Sequence, residues 1–481
     1  MHAVRRVVTR ASKLGGSSRL FFAPAAVSAA ASAAAPTTTP TTANTKLRIN
    51  AARLHETLHH TCQWGAAHRY GDDPTQTGMN RLALTDDDVA ARAWFRGAME
   101  DLGATVTVDQ LGNMFARRRG SRHGRQSSTA AAAAPMIAMG SHLDTQPRGG
   151  RYDGILGVVA AVEVMRTLKD HDYETHSDVG VVNWTNEEGA RFPVSMMASG
   201  VWAGKIPLET AWNTRDVFDP SKTVRSELER HGLVGPVACS HEAYPLAAHF
   251  ELHIEQSPVL QDTGKKIGVV QGAQAYKWFT VHVAGRDSHT GTTPLYMRRD
   301  PLLAAARMIA SAHDIAKSHG ALASTGILKI PPTSSTNTIA AHVSFSLDVR
   351  HPEDGVVAAV VDEIHESYAR IAKEDGKGVS YTTTLDTNSP AVKFDKDCIR
   401  AVENAADKTV GRDRWCHLTS GAGHDSVYTS QICPTTMIFV PCKDGVSHHP
   451  EEYTSPQDCA LGTQTLLDAV LNYDESRAAT Q

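Results

Sequence analysis

The chain has 481 residues, 41% hydrophobic and 21% charged, with a formal net charge of −4. That length exceeds one ordinary core, so two domains are expected. The near-neutral charge gives no electrostatic reason for nucleic acid or a membrane surface as partner, and no uninterrupted apolar run reaches the roughly 18 residues a spanning helix needs.

The first 45 residues stand apart. "MHAVRRVVTRASKLGGSSRLFF" carries four arginines and one lysine, and no acidic residue precedes Glu56. This composition fits a mitochondrial transit peptide. A secretory signal and an unstructured tail in a cytoplasmic protein are the alternatives. The segment is set aside from fold reasoning. Seven scattered cysteines, odd in number and without CxxC spacing, argue against a disulfide framework or a thiolate zinc site and suit a reducing compartment.

From residue 46 strands and helices alternate, as in an α/β domain. "LGNMFARRRG" and "PMIAMGSH" read as strands, separated by the basic, low-complexity "RRRGSRHGRQSSTAAAAAP", which reads as a solvated loop. "ILGVVAAVEVMRTLK" reads as a buried helix and "DVGVVNWT" as a short buried strand. Residues 275–389 change rhythm. There, strands are expected in "KWFTVHVAG", "STGILKI", "NTIAAHVSFSLDVR" and "GVSYTTTLDT". Helices are expected after the Asp300–Pro301 start and through "GVVAAVVDEIHESYARIAKEDG". The order βαββαβ is that of a ferredoxin-like unit. "TTMIFVPC" then restores the buried-strand signature, so the smaller unit reads as an insertion into the larger.

Ligand-type residues gather in the larger unit, several just beyond strands. His142 and Asp144 follow "MIAMG", Asp153 precedes a helix, and Glu187 and Glu188 follow "VVNWT". His253 sits in "HFELHIEQ" and His448 in "GVSHHPEE". Open α/β sheets bind ligands beyond the carboxyl ends of their strands. Imidazole and carboxylate suit Zn²⁺, and an Asp can bridge two ions. Asp144 could accept the second imidazole N–H of His142 and orient it. Taken singly, each has a structural reading; Glu187–Glu188, for instance, could be an acidic pair at a helix start.

The segments "GSHLDTQPRGGRYDGILGV", "WTNEEGARF", "FELHIEQSPVL", "GRDSHTGTTPLYMRRD", "SGAGHDS" and "GVSHHPEEYTSP" together resemble the carbamoylase branch of the metal-dependent aminoacylase/carboxypeptidase superfamily. That branch includes N-carbamoyl-L-amino-acid hydrolases, β-ureidopropionases and allantoate amidohydrolases. The resemblance implies an α/β fold: a large two-metal catalytic domain (46–274 and 390–475) with an inserted, smaller ferredoxin-like α+β lid and dimerisation domain (275–389). It implies two divalent ions per subunit, Zn²⁺ first, with Mn²⁺, Co²⁺ or Ni²⁺ as alternatives. The matching ligands are His142, Asp153 (bridging), Glu188, His253 and His448, with Glu187 as general base. In "SHHP" the pattern points to the first histidine. Peptidase relatives carry a carboxylate at the position of His253.

In the inserted unit Arg350 ends a strand on its polar face, where it could hold a substrate carboxylate or pair with Asp348. His289 and Asn337 read as turn formers from the residues alone. The resemblance makes His289 the group that stabilises the tetrahedral intermediate, and makes Asn337 and Arg350 substrate-binding, together with Gln256, Gly423 and His424. The expected reaction is hydrolysis of the ureido C–N bond of an N-carbamoyl amino acid, giving amino acid, carbon dioxide and ammonia. β-Ureidopropionase and allantoate amidohydrolase are the sister alternatives, with an aminoacylase or peptidase and a non-catalytic binding protein behind them. The expected partners are a small ureido substrate with a carboxylate and a second copy of the chain.

Overall fold

A computed structural model describes residues 47–121, 134–374 and 378–480. The Arg-rich N-terminal segment, expected above to be a transit peptide, and most of the basic low-complexity segment lie outside the described residues. Among the described residues no helix is long and apolar enough to cross a membrane.

Two sheets organise the described chain. The larger has nine strands. Its centre is four parallel strands in the order Thr435–Val440, Leu246–Ile254, Met136–His142, Val179–Trp184. All four are buried along their whole length, because both faces of the sheet are covered. Alternate residues supply the two layers. Ile137, Met139, Val179 and Val181 pack against the helices Ile155–Asp170 and Pro456–Thr480. Met136, Ala138, Val182 and Trp184 join Trp202 and Trp212 on the other side. Antiparallel strands extend the sheet: Met114–Arg118 and Thr105–Val108 beyond Val179–Trp184, and Ile267–Ala273 beyond Thr435–Val440.

The chain leaves this sheet at Gln274 and returns at Val392–Lys393. Between them lies an antiparallel sheet in the order Leu322–Ser324, His342–His351, Ala275–Ala284, Ser380–Ser389. The helices Pro301–Ser318 and Asp354–Glu374 cover one face, over Phe279, Val281, Phe345 and Leu347. Asp300 caps the first of these helices by accepting the Leu303 N–H at 3.0 Å. The other face is polar, as the alternation in "HVSFSLDVR" requires.

Two boundaries differ from the sequence reading. Of the strand expected in "STGILKI" only Leu328–Lys329 forms, and a second short strand, Leu322–Ser324, begins before it and ends at its first residue. The Ser346 hydroxyl accepts the N–H groups of Gly326 and Ile327 at 3.1 and 3.0 Å, displacing the ladder between them. The long strand expected in "NTIAAHVSFSLDVR" also divides. Thr338–Ile339 pairs with Ser288–His289 as a separate ribbon, and only His342–His351 joins the sheet.

The segment after Val179–Trp184 is braced by a buried ion cluster. Arg191 Nε donates to Asp216 Oδ2 at 2.8 Å and Nη2 donates to Glu227 Oε2 at 2.6 Å. Arg230 donates twice more to Glu227. Burial alone would raise the Glu227 pKa, but the two guanidinium groups outweigh it and hold it at about 2. A depressed folded-state pKa stabilises above the unfolded value and loses that stabilisation as pH falls through the folded one. The cluster should therefore contribute fully above about pH 4.5 and fade towards pH 2. Glu227→Gln should cost about 1–2 kcal/mol at pH 7, the exposed Arg230 arm discounted. It should also flatten that acid limb in denaturant titrations; an unchanged limb would count against the brace.

Candidate metal centre and active-site cleft

The carboxyl ends of the central strands bring the ligand-type residues together. His142 is the last residue of its strand, His253 the next to last of its own, and Glu187 and Glu188 follow Val179–Trp184 after a turn. That turn places Asn186 at φ 57°, where its side-chain amide donates to the carbonyls of Phe192 and Val194, both at 3.0 Å. Asp153 lies at the start of the helix Ile155–Asp170.

Asp153 is the centre of the arrangement. Its Oδ1 lies 3.1 Å from His253 Nε2 and 3.6 Å from His142 Nε2, and its Oδ2 lies 3.5 Å from His448 Nε2. Glu188 Oε2 is 3.5 Å from the same His448 nitrogen. His142, Asp153 and His253 thus form one group able to hold a cation, and Asp153, Glu188 and His448 form a second, the donor atoms of each lying within 4.8 Å of one another. A third group, Glu251, His253 and His424, shares His253 with the first. Of the two adjacent histidines, His448 faces the centre. His449 is exposed, and its Nδ1 accepts the Glu451 N–H.

The donors fit divalent cations. Each group mixes imidazole nitrogen with carboxylate oxygen, the set that suits Zn²⁺ and its neighbours. Glu187 and Glu188 are both pushed well above the ordinary carboxylate range, first by burial and then by neighbouring carboxylates, Asp425 for Glu187 and Asp153 for Glu188. This is the surplus of negative charge a cation neutralises. For Asp153 the three imidazoles outweigh burial and hold its carboxyl well below the usual range. Its carboxylate in turn lifts His253 to about 9 against the effect of burial, a proton that a metal ion would displace. Glu187 Oε2 stands 3.5 Å from His142 Nε2, beside the first group and within reach of whatever it binds.

One orienting contact differs from expectation. The carbonyl of Asp144, not its carboxylate, meets His142 Nδ1 at 2.9 Å. The carboxylate instead accepts the Glu187 and Glu188 N–H groups at 3.4 and 3.3 Å. Asp144 therefore sets the loop of the two glutamates, because a side chain two residues along the chain cannot turn back to the ring that its own carbonyl already occupies.

The cleft around the centre is lined by Asp153, Glu187, Glu188, Gln256, Gly423, His424 and His448, and on its far wall by Met196, Tyr276, Trp278 and Arg350. Gln256 Nε2 donates to Asp153 Oδ2 at 2.7 Å. His424 is buried with its ring centre 4.6 Å from that of His253, and burial together with that neighbour keeps its pKa well below the ordinary value. Arg350 grips Asp348 through Nε and Nη2 and reaches the Gly421 carbonyl through Nη1. The Asp348 pairing of this arginine is thus present: three of its N–H groups are committed, and two of the five remain. His289 and Asn337 stand outside the cleft. They are exposed neighbours on the small ribbon, where the Thr290 N–H donates to the Asn337 carbonyl.

The sequence reading missed Gln146, whose amide donates to Glu188 Oε2 at 2.8 Å, and Glu452, which is 1% exposed behind Asp153. Both belong to motifs already quoted, "SHLDTQ" and "SHHPEE", so proximity in the chain was the available signal. Tyr276 and Trp278 pair in register with Arg350 and Asp348. Their membership of the cleft follows from strand pairing, which the sequence does not show.

The family model for peptidase family M20/M25/M40 matches residues 138–472. An N-carbamoyl-L-amino-acid amidohydrolase of Rhizobium meliloti is 36% identical over 430 residues, covering 89% of this chain and 97% of that protein. A ureidoglycolate hydrolase of Oryza sativa is 32% identical over 410 residues, covering 83% of this chain and 81% of its own. The crystal structure of a hydantoinase/carbamoylase family amidase from Burkholderia vietnamiensis superposes with a TM-score of 0.79 at 40% identity, covering 89% of this chain and 98% of that one.

Gly154 offers a direct test of the centre. It sits at φ 64°, and a Cβ there would lie 2.2 Å from His142 Cε1. Gly154→Ala should push the His142 ring away and lower metal content measured by atomic emission after dialysis, while far-UV circular dichroism stays native. Full metal retention would show that His142 is not held where the geometry places it.

Proposed function

We infer the activity from one premise: this chain belongs to peptidase family M20/M25/M40. We propose that it is a metal-dependent amidohydrolase acting on a non-peptide C–N bond, the ureido bond of N-carbamoyl-L-amino acids. The observation that carries this reading is the pair of donor groups sharing Asp153, set in a cleft whose far wall ends in Arg350.

In this reading His142, Asp153 and His253 hold one divalent ion, and Asp153, Glu188 and His448 hold the other, Zn²⁺ being the first candidate. When bound, such a pair supplies Lewis acidity towards the ureido carbonyl and acidifies water. Glu187 takes the proton of the attacking water and returns it to the leaving nitrogen. One water is consumed, and amino acid, carbon dioxide and ammonia leave. His424, kept neutral by burial and by His253, borders the substrate together with Gln256 and Gly423. The two uncommitted N–H groups of Arg350 receive the substrate carboxylate as a fork. Met196, Tyr276 and Trp278 form an apolar wall beside it, with Tyr276 and Trp278 ring centres 5.2 Å apart. An apolar amino-acid side chain packs there.

The loaded protein should release ammonia from N-carbamoyl-L-amino acids faster than from N-carbamoyl-β-alanine, allantoate or ureidoglycolate. Chelation should abolish turnover and metal should restore it. Glu187→Gln should lower kcat by about 10²–10⁴-fold with metal still bound; turnover unchanged by it would show that another group takes the proton, and loaded wild type without turnover on any of these substrates would point to a binding protein. A faster reaction with allantoate or ureidoglycolate would reassign the substrate.

His289 and Asn337 lie off the cleft of their own chain, which supports a homodimer in which each copy completes the other's site. The small sheet has an edge for this: Leu322, Ile327, Leu328 and Ile330 are all exposed there. Mixing Glu187→Gln with His289→Ala subunits should then regain activity, since one site per mixed pair has both groups intact. A refolded mixture no more active than its two components would rule out sharing of sites between subunits.

A further inference from the structure

We infer that Glu452 is a positioning residue that holds the Glu188–His448 half of the metal centre, an assignment that rests on the metal-pair reading above. Glu452 is buried, and its carboxylate spans two loops 300 residues apart in sequence. Its Oε1 accepts the N–H groups of Tyr152 and Asp153, both at 3.0 Å. Its Oε2 lies 2.9 Å from Ser447 Oγ, which is also 2.9 Å from Asp153 Oδ2. Gln256 Nε2 donates to that same Oδ2 at 2.7 Å and to Ser447 Oγ at 3.1 Å.

These bonds are lopsided. Glu452 fixes the backbone of Asp153, and its Oε2 and one of the two Asp153 carboxylate oxygens share the single hydroxyl of Ser447. That oxygen, Oδ2, faces His448; the other, Oδ1, faces His142 and His253. His142 and His253 also have anchors of their own, buried on strands with Nδ1 at the Asp144 and Ile254 carbonyls. His448 has no such support. It is exposed, sits at φ 54°, and belongs to a loop closed by the Glu452 N–H donating to the His449 carbonyl at 3.0 Å. The chain makes room for the carboxylate at Gly150, where a Cβ would lie 2.3 Å from Glu452 Cβ. Every one of these contacts can be made by an amide: its oxygen accepts the two N–H groups and its nitrogen donates to Ser447. The role is therefore one of shape rather than charge, and glutamine should fill it.

The test is metal uptake rather than turnover. Metal-stripped full-length protein is titrated with Co²⁺, followed by visible absorption and calorimetry, and its content after dialysis is measured by atomic emission. Wild type should take up two ions. Glu452→Ala should keep one, the affinity of the other falling about 10–100-fold, and Glu452→Gln should stay within about threefold of wild type. Ser447→Ala, which removes one arm alone, should weaken the same ion to a smaller degree and covers the case in which Glu452→Ala does not fold. Equal loss of both ions, unchanged affinity in the alanine variants, or a glutamine variant as poor as alanine would each overturn the assignment. Wild-type protein that takes up no ion would overturn the metal-pair reading itself, a result distinct from any failure confined to the Glu452 variants.

Discussion

A single carboxylate, that of Asp153, stands between two sets of donors, and the rest of the site is arranged around the cost of keeping it there. Three imidazoles approach it within 3.6 Å, two on one oxygen and one on the other. An ionised carboxylate without partners in this interior would carry a penalty of several kcal/mol. With the imidazoles around it, its charge is the one the site favours. Each neighbouring glutamate has one imidazole, at 3.5 Å, against three for Asp153, and burial drives both towards protonation. A pocket that holds one carboxylate charged and crowds two more against it is built to receive positive charge.

The fold meets this demand by distributing the work. Parallel strands buried on both faces deliver His142, His253 and the Glu187–Glu188 turn to the same end of the sheet, because every one of them points its carboxyl end that way. The loops beyond the strands have no ladder to fix them, so polar side chains do it instead. Arg191 ties one loop to Asp216 and Glu227, and Asp144 gathers the N–H groups of the two glutamates. The precision of the centre therefore depends as much on buried hydrogen bonds as on the strands.

The second sheet contributes through its polar face. One side of it is a conventional core under two helices, which leaves Tyr276, Trp278, Asp348 and Arg350 on the opposite side, where Tyr276 and Trp278 pack with Met196, Val427 and Tyr428. That face forms the far wall of the cleft. A cation and two aromatic rings opposite a cluster of carboxylates give the cleft two poles, matched to a substrate with a carboxylate at one end and a hydrolysable ureido group at the other.

Much of this was legible in the chain. Periodicity located three of the four buried central strands, Leu246–Ile254 being the one not read as a strand, together with the two helices of the smaller unit and the alternation that puts Arg350 on a polar face, because hydrophobic spacing is imposed by burial and is local. Residue type and order picked out His142, Asp153, Glu187, Glu188, His253 and His448, because metal-type donors must stand close to strand ends. Local spacing could not tell which Asp153 oxygen faces which histidine, nor that Asp144 meets His142 through its carbonyl and the two glutamates through its carboxylate. It gave no sign that His289 and Asn337 lie off the cleft, or that Glu452 reaches Tyr152 from 300 residues away. Those facts depend on how distant segments meet in space, and only the packing of the sheets and loops decides that.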